Sequence, residues 1–158
     1  IDLIFNNRIS LVCIMLIVTG IILISTSFVK SSNKEINFWH ALFMGLGQAV
    51  AILPGISRSG STIAIALFCN VNRKKAAEFA FLMALAPIIG GAIVQFLDSG
   101  GGLQRESYNG LIIAFFSAFF SGLFACKYMI HIVHKNNLKY FGYYCIIIGL
   151  GYFTYLLL

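Results

Sequence analysis

Charge is what this chain has least of. Only 10% of its 158 residues are ionised, and acidic side chains number 5 against 11 lysines and arginines. A soluble domain of this size cannot cover its surface with so few charges, which excludes an ordinary water-soluble enzyme. Proline is nearly absent too. Pro54 and Pro87 are the 2 in the chain, so each marks a place where a helix stops or bends. The 4 cysteines, Cys13, Cys69, Cys126 and Cys145, lie in or beside separate apolar stretches. Without C-x-x-C spacing they support neither a disulfide framework nor a thiolate metal site, and read as small packing residues. No short apolar region followed by a small-residue cleavage site opens the chain, so no removable signal peptide is expected. The chain starts at Ile1 rather than methionine, from which a missing N-terminal portion is expected.

What is present is apolar sequence: 59% hydrophobic residues, with a mean hydropathy of +0.91. Residues 9–29 carry no charge and are long enough to cross about 30 Å of hydrocarbon as a helix. Residues 79–97 (bent by Pro87), 110–130 and 140–158 read as three further spans, separated by a Gly-rich polar loop over 98–109 and a basic loop over 131–139. Residues 36–53 and 61–69 differ: two unequal apolar pieces broken at Pro54-Gly55. They predict a re-entrant helical hairpin or a discontinuous helix pair. Irregular backbone at membrane depth survives only against protein or a water-filled cavity, so the break should line one. The expectation is an all-α integral membrane protein, a single membrane domain over residues 1–158, with about four transmembrane helices and one re-entrant helical hairpin.

The net charge of +6 lies between hydrophobic segments rather than on one soluble face, which argues for topology control and against nucleic acid as a partner. A hairpin returning to its own side puts Lys30, Lys34, Arg73, Lys74, Lys75, Lys127, Lys135 and Lys139 on one face and Arg8 and Arg105 on the other. A single crossing over 36–69 would leave a weaker bias, of the opposite sense. The positive-inside rule therefore favours a hairpin entered from the cytoplasm, with the C-terminus outside. In the third span Ala114, Ala118 and Gly122 recur every four residues, a pattern that lets helices approach closely in a compact bundle. A homodimer face is the alternative use of that stripe.

The break itself reads Pro54-Gly55-Ile56-Ser57-Arg58-Ser59-Gly60-Ser61-Thr62, and Arg58 is the sole formal charge between Glu35 and Arg73. A guanidinium at mid-membrane costs roughly 2.5–3.5 kcal/mol on insertion scales, so one held there normally has a task. It presents a planar fork of donors suited to two phosphate oxygens, which lysine cannot copy. Ser57, Ser59, Ser61 and Thr62 add hydroxyls, and a helix starting near Gly60 aims its unpaired N–H groups at the same point. Together they make an anion cradle, with Ser57 a nucleophile if a base activates it. The plainer reading is an interhelical turn with Arg58 snorkelling to water.

Residues 47–62, Gly47-Gln48-Ala49-Val50-Ala51-Ile52-Leu53 followed by the nine above, resemble the second signature of the bacterial undecaprenyl-diphosphatase family, the bacitracin-resistance proteins, which runs P-G-x-S-R-S-G-A/S-T. The likeness continues through Ala76-Ala77-Glu78-Phe79-Ala80-Phe81-Leu82 and covers essentially the whole chain. It implies a multi-pass enzyme of the bacterial plasma (inner) membrane that hydrolyses undecaprenyl diphosphate to undecaprenyl phosphate. That reaction regenerates the lipid carrier of peptidoglycan synthesis, and overproduction gives bacitracin resistance. The resemblance puts Arg58 on the diphosphate with Ser57, Ser59, Gly60 and Thr62 beside it, and implies a divalent cation, Mg2+ or Ca2+. The family also has an earlier half, an inverted repeat of this one, with a glutamate-rich signature and a histidine that supply acid and base. No E-x-x-x-E occurs here, so the chain is expected to be half of that fold and inactive by itself. A polyprenyl-phosphate flippase and a non-catalytic fragment are the competing readings.

Other polar residues carry weaker expectations. Glu78 reads as a first-turn carboxylate, with a contact to Arg58 or a metal as the alternative. Gln48 either lines the cavity or makes an interhelical hydrogen bond. His131 and His134 have the i, i+3 spacing of metal ligands, but no carboxylate is near, so they read as part of a basic interfacial loop. Trp39, His40 and the late tyrosines read as interface anchors.

Overall fold

The computed structural model describes residues 9–30, 32–98 and 108–157. Arg8, Arg105 and the glycine-rich run Ser99–Gly102 lie outside the described residues. Among the described residues there are six α-helices: α1 (Ile9–Ser25, continued by a 3-10 turn Thr26–Phe28), α2 (Phe38–Val50), α3 (Arg58–Phe68), α4 (Arg73–Asp98), α5 (Tyr108–His134) and α6 (Leu138–Leu157). Three of them, α1 with its 3-10 turn, α4 and α5, are long and apolar enough to cross a membrane. The fourth expected span falls on the 20-residue α6, about 30 Å long at 1.5 Å per residue; it is not one of those three and packs antiparallel along α1.

The hairpin has the geometry the apolar break predicts. Its arms have 13 and 11 residues, too short to cross, since 11 residues of helix rise about 16 Å. Entry and exit also meet: Lys34 bridges Val71, and the Asn72 N–H donates to the Lys34 carbonyl at 2.9 Å. The tip therefore sits near mid-depth and both ends open on one face. α2 is started by a capping box, in which Asn37 Oδ1 accepts from the His40 N–H at 3.0 Å and His40 Nδ1 accepts from the Asn37 N–H at 3.2 Å. His40 is thus a helix cap rather than only an interface anchor. α3 and α5 each stop at an asparagine in the left-handed region, Asn70 at φ 60° and Asn136 at φ 58°. The N–H groups of Val71 and Asn137 then return to the carbonyls of Ala66 and Ile132, closing the helix ends as a glycine cap would.

All eight basic residues assigned to one side lie on the face where the hairpin opens, near the ends of α1, α3 and α5 and the starts of α4 and α6. The best-packed interior is near this face. Met44, Ile63, Leu67, Val71, Ala76, Ala77, Ala80, Val133 and Leu138 are buried together, joining α2 through α6. Arg73 is not a loop charge. It is buried, and its Nη2 donates to the Val29 carbonyl at 2.6 Å and the Thr26 carbonyl at 3.4 Å. It closes the end of α1, whose last carbonyls have no intrahelical partners. Asn136 adds a bond from its Nδ2 to the Ser27 carbonyl at 3.2 Å.

The small-residue stripe of α5 is a correction to the expected packing. Gly110 and Gly122 have no neighbouring atom where a side chain would begin, and residues 110–128 are exposed along their whole length. Close helix approach happens elsewhere, between α1 and α6. There a Cβ on Gly20 would lie 2.7 Å from the Gly142 carbonyl oxygen, and one on Gly149 would lie 3.0 Å from that of Cys13.

Candidate functional site

The site is built at the hairpin tip, where the incoming chain stops at Pro54-Gly55 and α3 begins at Arg58. Gly55 has φ +95°, and a Cβ there would lie 2.5 Å from the Val12 carbonyl oxygen. The position needs glycine both for its left-handed backbone and for its contact with α1. Thr19 of α1 fixes the tip: its Oγ1 donates to the Gly55 carbonyl at 3.1 Å and accepts from the Ser57 N–H at 3.2 Å. Nothing in the local sequence signals this residue, 36 and 38 positions upstream of its partners. A lone threonine in an apolar span is the sole hint.

Ser57 is the N-cap of α3, and its Oγ accepts from the Gly60 N–H at 3.1 Å. Because the hydroxyl accepts there, its own proton stays free to donate outward. The Ser61 N–H is bonded to the Ser57 carbonyl at 2.8 Å. That leaves the N–H groups of Arg58 and Ser59 without a partner among the described residues, at the positive end of the helix dipole. The Arg58 guanidinium likewise makes no hydrogen bond or ion pair with any described residue. Its side chain is exposed and lines an open cleft of about 220 Å³ with Gly45, Gln48, Ala49, Ile52 and Pro87. Arg58 is thus not sealed inside protein, and the cleft opens beside Pro87 in the middle of α4.

Gln48 has a definite structural job. Pro87 lacks the N–H that would bond the carbonyl four residues earlier, that of Met83. Gln48 Nε2 donates to that carbonyl at 3.3 Å, filling the gap across the helix pair. Its Oε1 is buried without a partner and belongs to the side chain that lines the Arg58 cleft. Gln48 thus both lines the cleft and bonds across two helices. The legible signal was the pairing of a helix-interior proline with a polar residue in a neighbouring apolar run.

Of the sequence-predicted residues Arg58 and Gln48 line this cleft; Ser57 and Ser59 lie beside it at the start of α3, and Gly60, Thr62 and Glu78 are engaged in other contacts. Gly60 is buried, and a Cβ would meet Ser57 Oγ at 2.8 Å and Leu23 Cδ2 at 3.2 Å; it makes room for the cap rather than for a ligand. Thr62 is buried, and its hydroxyl donates to the carbonyls of Arg58 and Ser59 at 3.1 and 3.0 Å. Glu78 is on the second turn of α4, since that helix begins at Arg73 rather than later. It pairs with Lys74 at 3.9 Å on the basic face, away from Arg58. Ser59 stays partly accessible on the first turn of α3.

Chemically the tip gathers one guanidinium and two backbone N–H groups that have no partner among the described residues, together with two hydroxyls, a donor set suited to an anion. It does not fit a resident Mg2+ or Ca2+, because hard cations need several oxygen ligands, carboxylates foremost. Among the described residues no group of three His, Cys, Asp or Glu is placed to hold a metal ion, and the cleft wall already carries a cation.

Residues 1–151 match the family described as bacitracin resistance protein BacA. A protein named undecaprenyl-diphosphatase from Bacteroides fragilis is 42% identical over 156 residues, covering 94% of this chain and 58% of the relative. Its namesake from Bacteroides thetaiotaomicron is 42% identical over 158 residues, covering 96% and 59%, and that from Treponema denticola 36% identical over 149 residues, covering 93% and 55%. The chain therefore spans less than two thirds of the length of these relatives. On the extent of the family match, this chain belongs to the bacitracin resistance protein BacA family.

Proposed function

We propose that this chain supplies the diphosphate-binding part of an undecaprenyl-diphosphatase, the activity its relatives are named for. The carrying observation is the Arg58 guanidinium, which has no protein partner among the described residues and lines a cleft at the start of α3. A charged donor held without a partner at mid-membrane is costly unless an anion meets it. A diphosphate headgroup arriving from the bilayer meets Arg58 in bidentate contact, the N–H groups of Arg58 and Ser59, and the Ser57 and Ser59 hydroxyls. Gly60 and Thr62 shape this cradle from behind. Ser57 is the hydroxyl of this chain best placed to attack phosphorus, but it has no hydrogen bond to a basic side chain among the described residues, so hydrolysis needs a second set of groups. A Mg2+ or Ca2+ ion, implied by the resemblance, enters with the diphosphate rather than being held by this chain. The face carrying the basic residues is cytoplasmic, which leaves the end of α6 outside.

The test is phosphate release from detergent-solubilised undecaprenyl diphosphate by the complete protein. Arg58→Lys and Arg58→Ala should each lower kcat/KM at least tenfold, given about 1.5–3 kcal/mol per hydrogen bond to a charged group, with thermal unfolding unchanged. Turnover equal to the parent in both variants overturns the reading. This polypeptide alone should release no phosphate. A carrier of polyprenyl phosphate is the second reading, favoured by the half-helix start of α3 at mid-depth; it predicts intact hydrolysis and lost lipid translocation in the same variants.

A further inference from the structure

A second cleft, of about 620 Å³, opens at the basic face between the start of α4 and the last turns of α5. It is separate from the Arg58 cleft, which lies at the other end of α3. Its lining from α5 is Phe124, Lys127, Tyr128, Ile130, His131 and His134, two adjoining rows at three- or four-residue spacing that make one face of the helix. That face is graded. Phe124 and Tyr128, whose rings stack at 6.3 Å and 4°, lie deeper along the span, and the histidines lie at its end. Lys74 adds a cation from α4. Its contact with Glu78 is long, at 3.9 Å, and the side chains are 62% and 40% exposed, so the carboxylate neutralises little of the charge. Lys127, His131 and His134 have no ion pair among the described residues.

A cleft that is cationic at the membrane surface and aromatic toward the hydrocarbon is complementary to one kind of molecule. We propose that it binds an anionic phospholipid of the surrounding bilayer. The headgroup phosphate sits among Lys74, Lys127, His131 and His134, and one acyl chain runs along Phe124 and Tyr128. Basic pockets between transmembrane helices take anionic headgroups in this way, because juxtamembrane lysines and an apolar wall act together. The inference does not rest on Arg58 or on the diphosphatase reading.

The experiment reconstitutes the complete protein with equal phosphatidylglycerol and phosphatidylcholine, extracts it gently, and measures retained lipid by native mass spectrometry. The parent should retain phosphatidylglycerol about tenfold over phosphatidylcholine. Lys74→Gln with Lys127→Gln should bring the two lipids to parity, Lys74→Arg with Lys127→Arg should keep the preference, and Arg58→Ala should leave it unchanged. Equal retention of both lipids by the parent, an unaltered preference in the glutamine pair, or loss of the lipid on adding excess inorganic phosphate would each overturn the proposal. So would loss of the preference in the arginine pair, whose charge is intact. The last two results would indicate, respectively, a soluble-anion site and a purely structural role for the two lysines.

Discussion

The α1–α6 pair and the α4–α5 pair are built from similar material and packed very differently. Both have long apolar helices with small residues at helical spacing. In the first pair Gly20, Gly142 and Gly149 bring backbone against backbone, close enough that no side chain fits between. In the second, Gly90, Gly91, Gly110 and Gly122 meet nothing, and apolar side chains from Leu85 to Leu97 and from Leu111 to Phe124 are exposed. Small residues permit close approach in a membrane but do not drive it, because lipid tails solvate an apolar helix face as well as another helix does. What decides is whether a partner surface of matching shape is present.

Substitutions can break or sharpen that contrast, and thermal unfolding of the complete protein in detergent is the common measurement. The largest effect belongs to Gly142→Leu, which drives a side chain into the Gly20 carbonyl and Ile24 and should destabilise by roughly 3 kcal/mol or more. Thr19→Val keeps shape but removes the hydroxyl that serves both Gly55 and Ser57. It should cost about 1–3 kcal/mol and lower phosphate release together with stability. Gln48→Leu leaves the Met83 carbonyl unpaired and should cost about 1–2 kcal/mol. In a Pro87→Ala background, where the introduced alanine supplies an N–H to that carbonyl, the same change should cost measurably less. Additive effects in that double-mutant cycle would show that the proline gap is not what Gln48 fills. The smallest effect is expected at Gly122→Ala, within about 0.5 kcal/mol. A large loss there would mean that the exposed face of α5 is covered in the complete protein, and the contrast would vanish.

The hairpin was legible because its signals are local. Pro54-Gly55 stops a helix wherever it stands, Ser57 three residues before Gly60 makes a cap, and eight basic residues fall on one side only if the chain turns back. The donor-rich character of the tip followed for the same reason: the start of α3 exposes N–H groups as a matter of backbone geometry. Thr19 and Arg73 were not legible in their actual roles, and for Gln48 the interhelical bond was legible but not the carbonyl it completes. Arg73 reads as one more surface charge in a basic run, yet it is buried on the carbonyls that end α1. Glu78 was misplaced because the helix begins several residues earlier than the apolar pattern does, and charged residues at a membrane face do not mark the first turn.

The amino-acid order by itself determined that this chain is a membrane protein, where its helices break, and that one guanidinium stands alone at the break. Those features depend on composition and on neighbours in sequence, which the backbone obeys in almost any surroundings. Only the tertiary structure decided which glycines touch, which carbonyl Gln48 completes, and that Arg58 opens on a cleft while Arg73 closes a helix. Each of these is a contact between distant positions, fixed by how helices cross, and two arginines with the same chemistry take opposite roles according to what lies across from them.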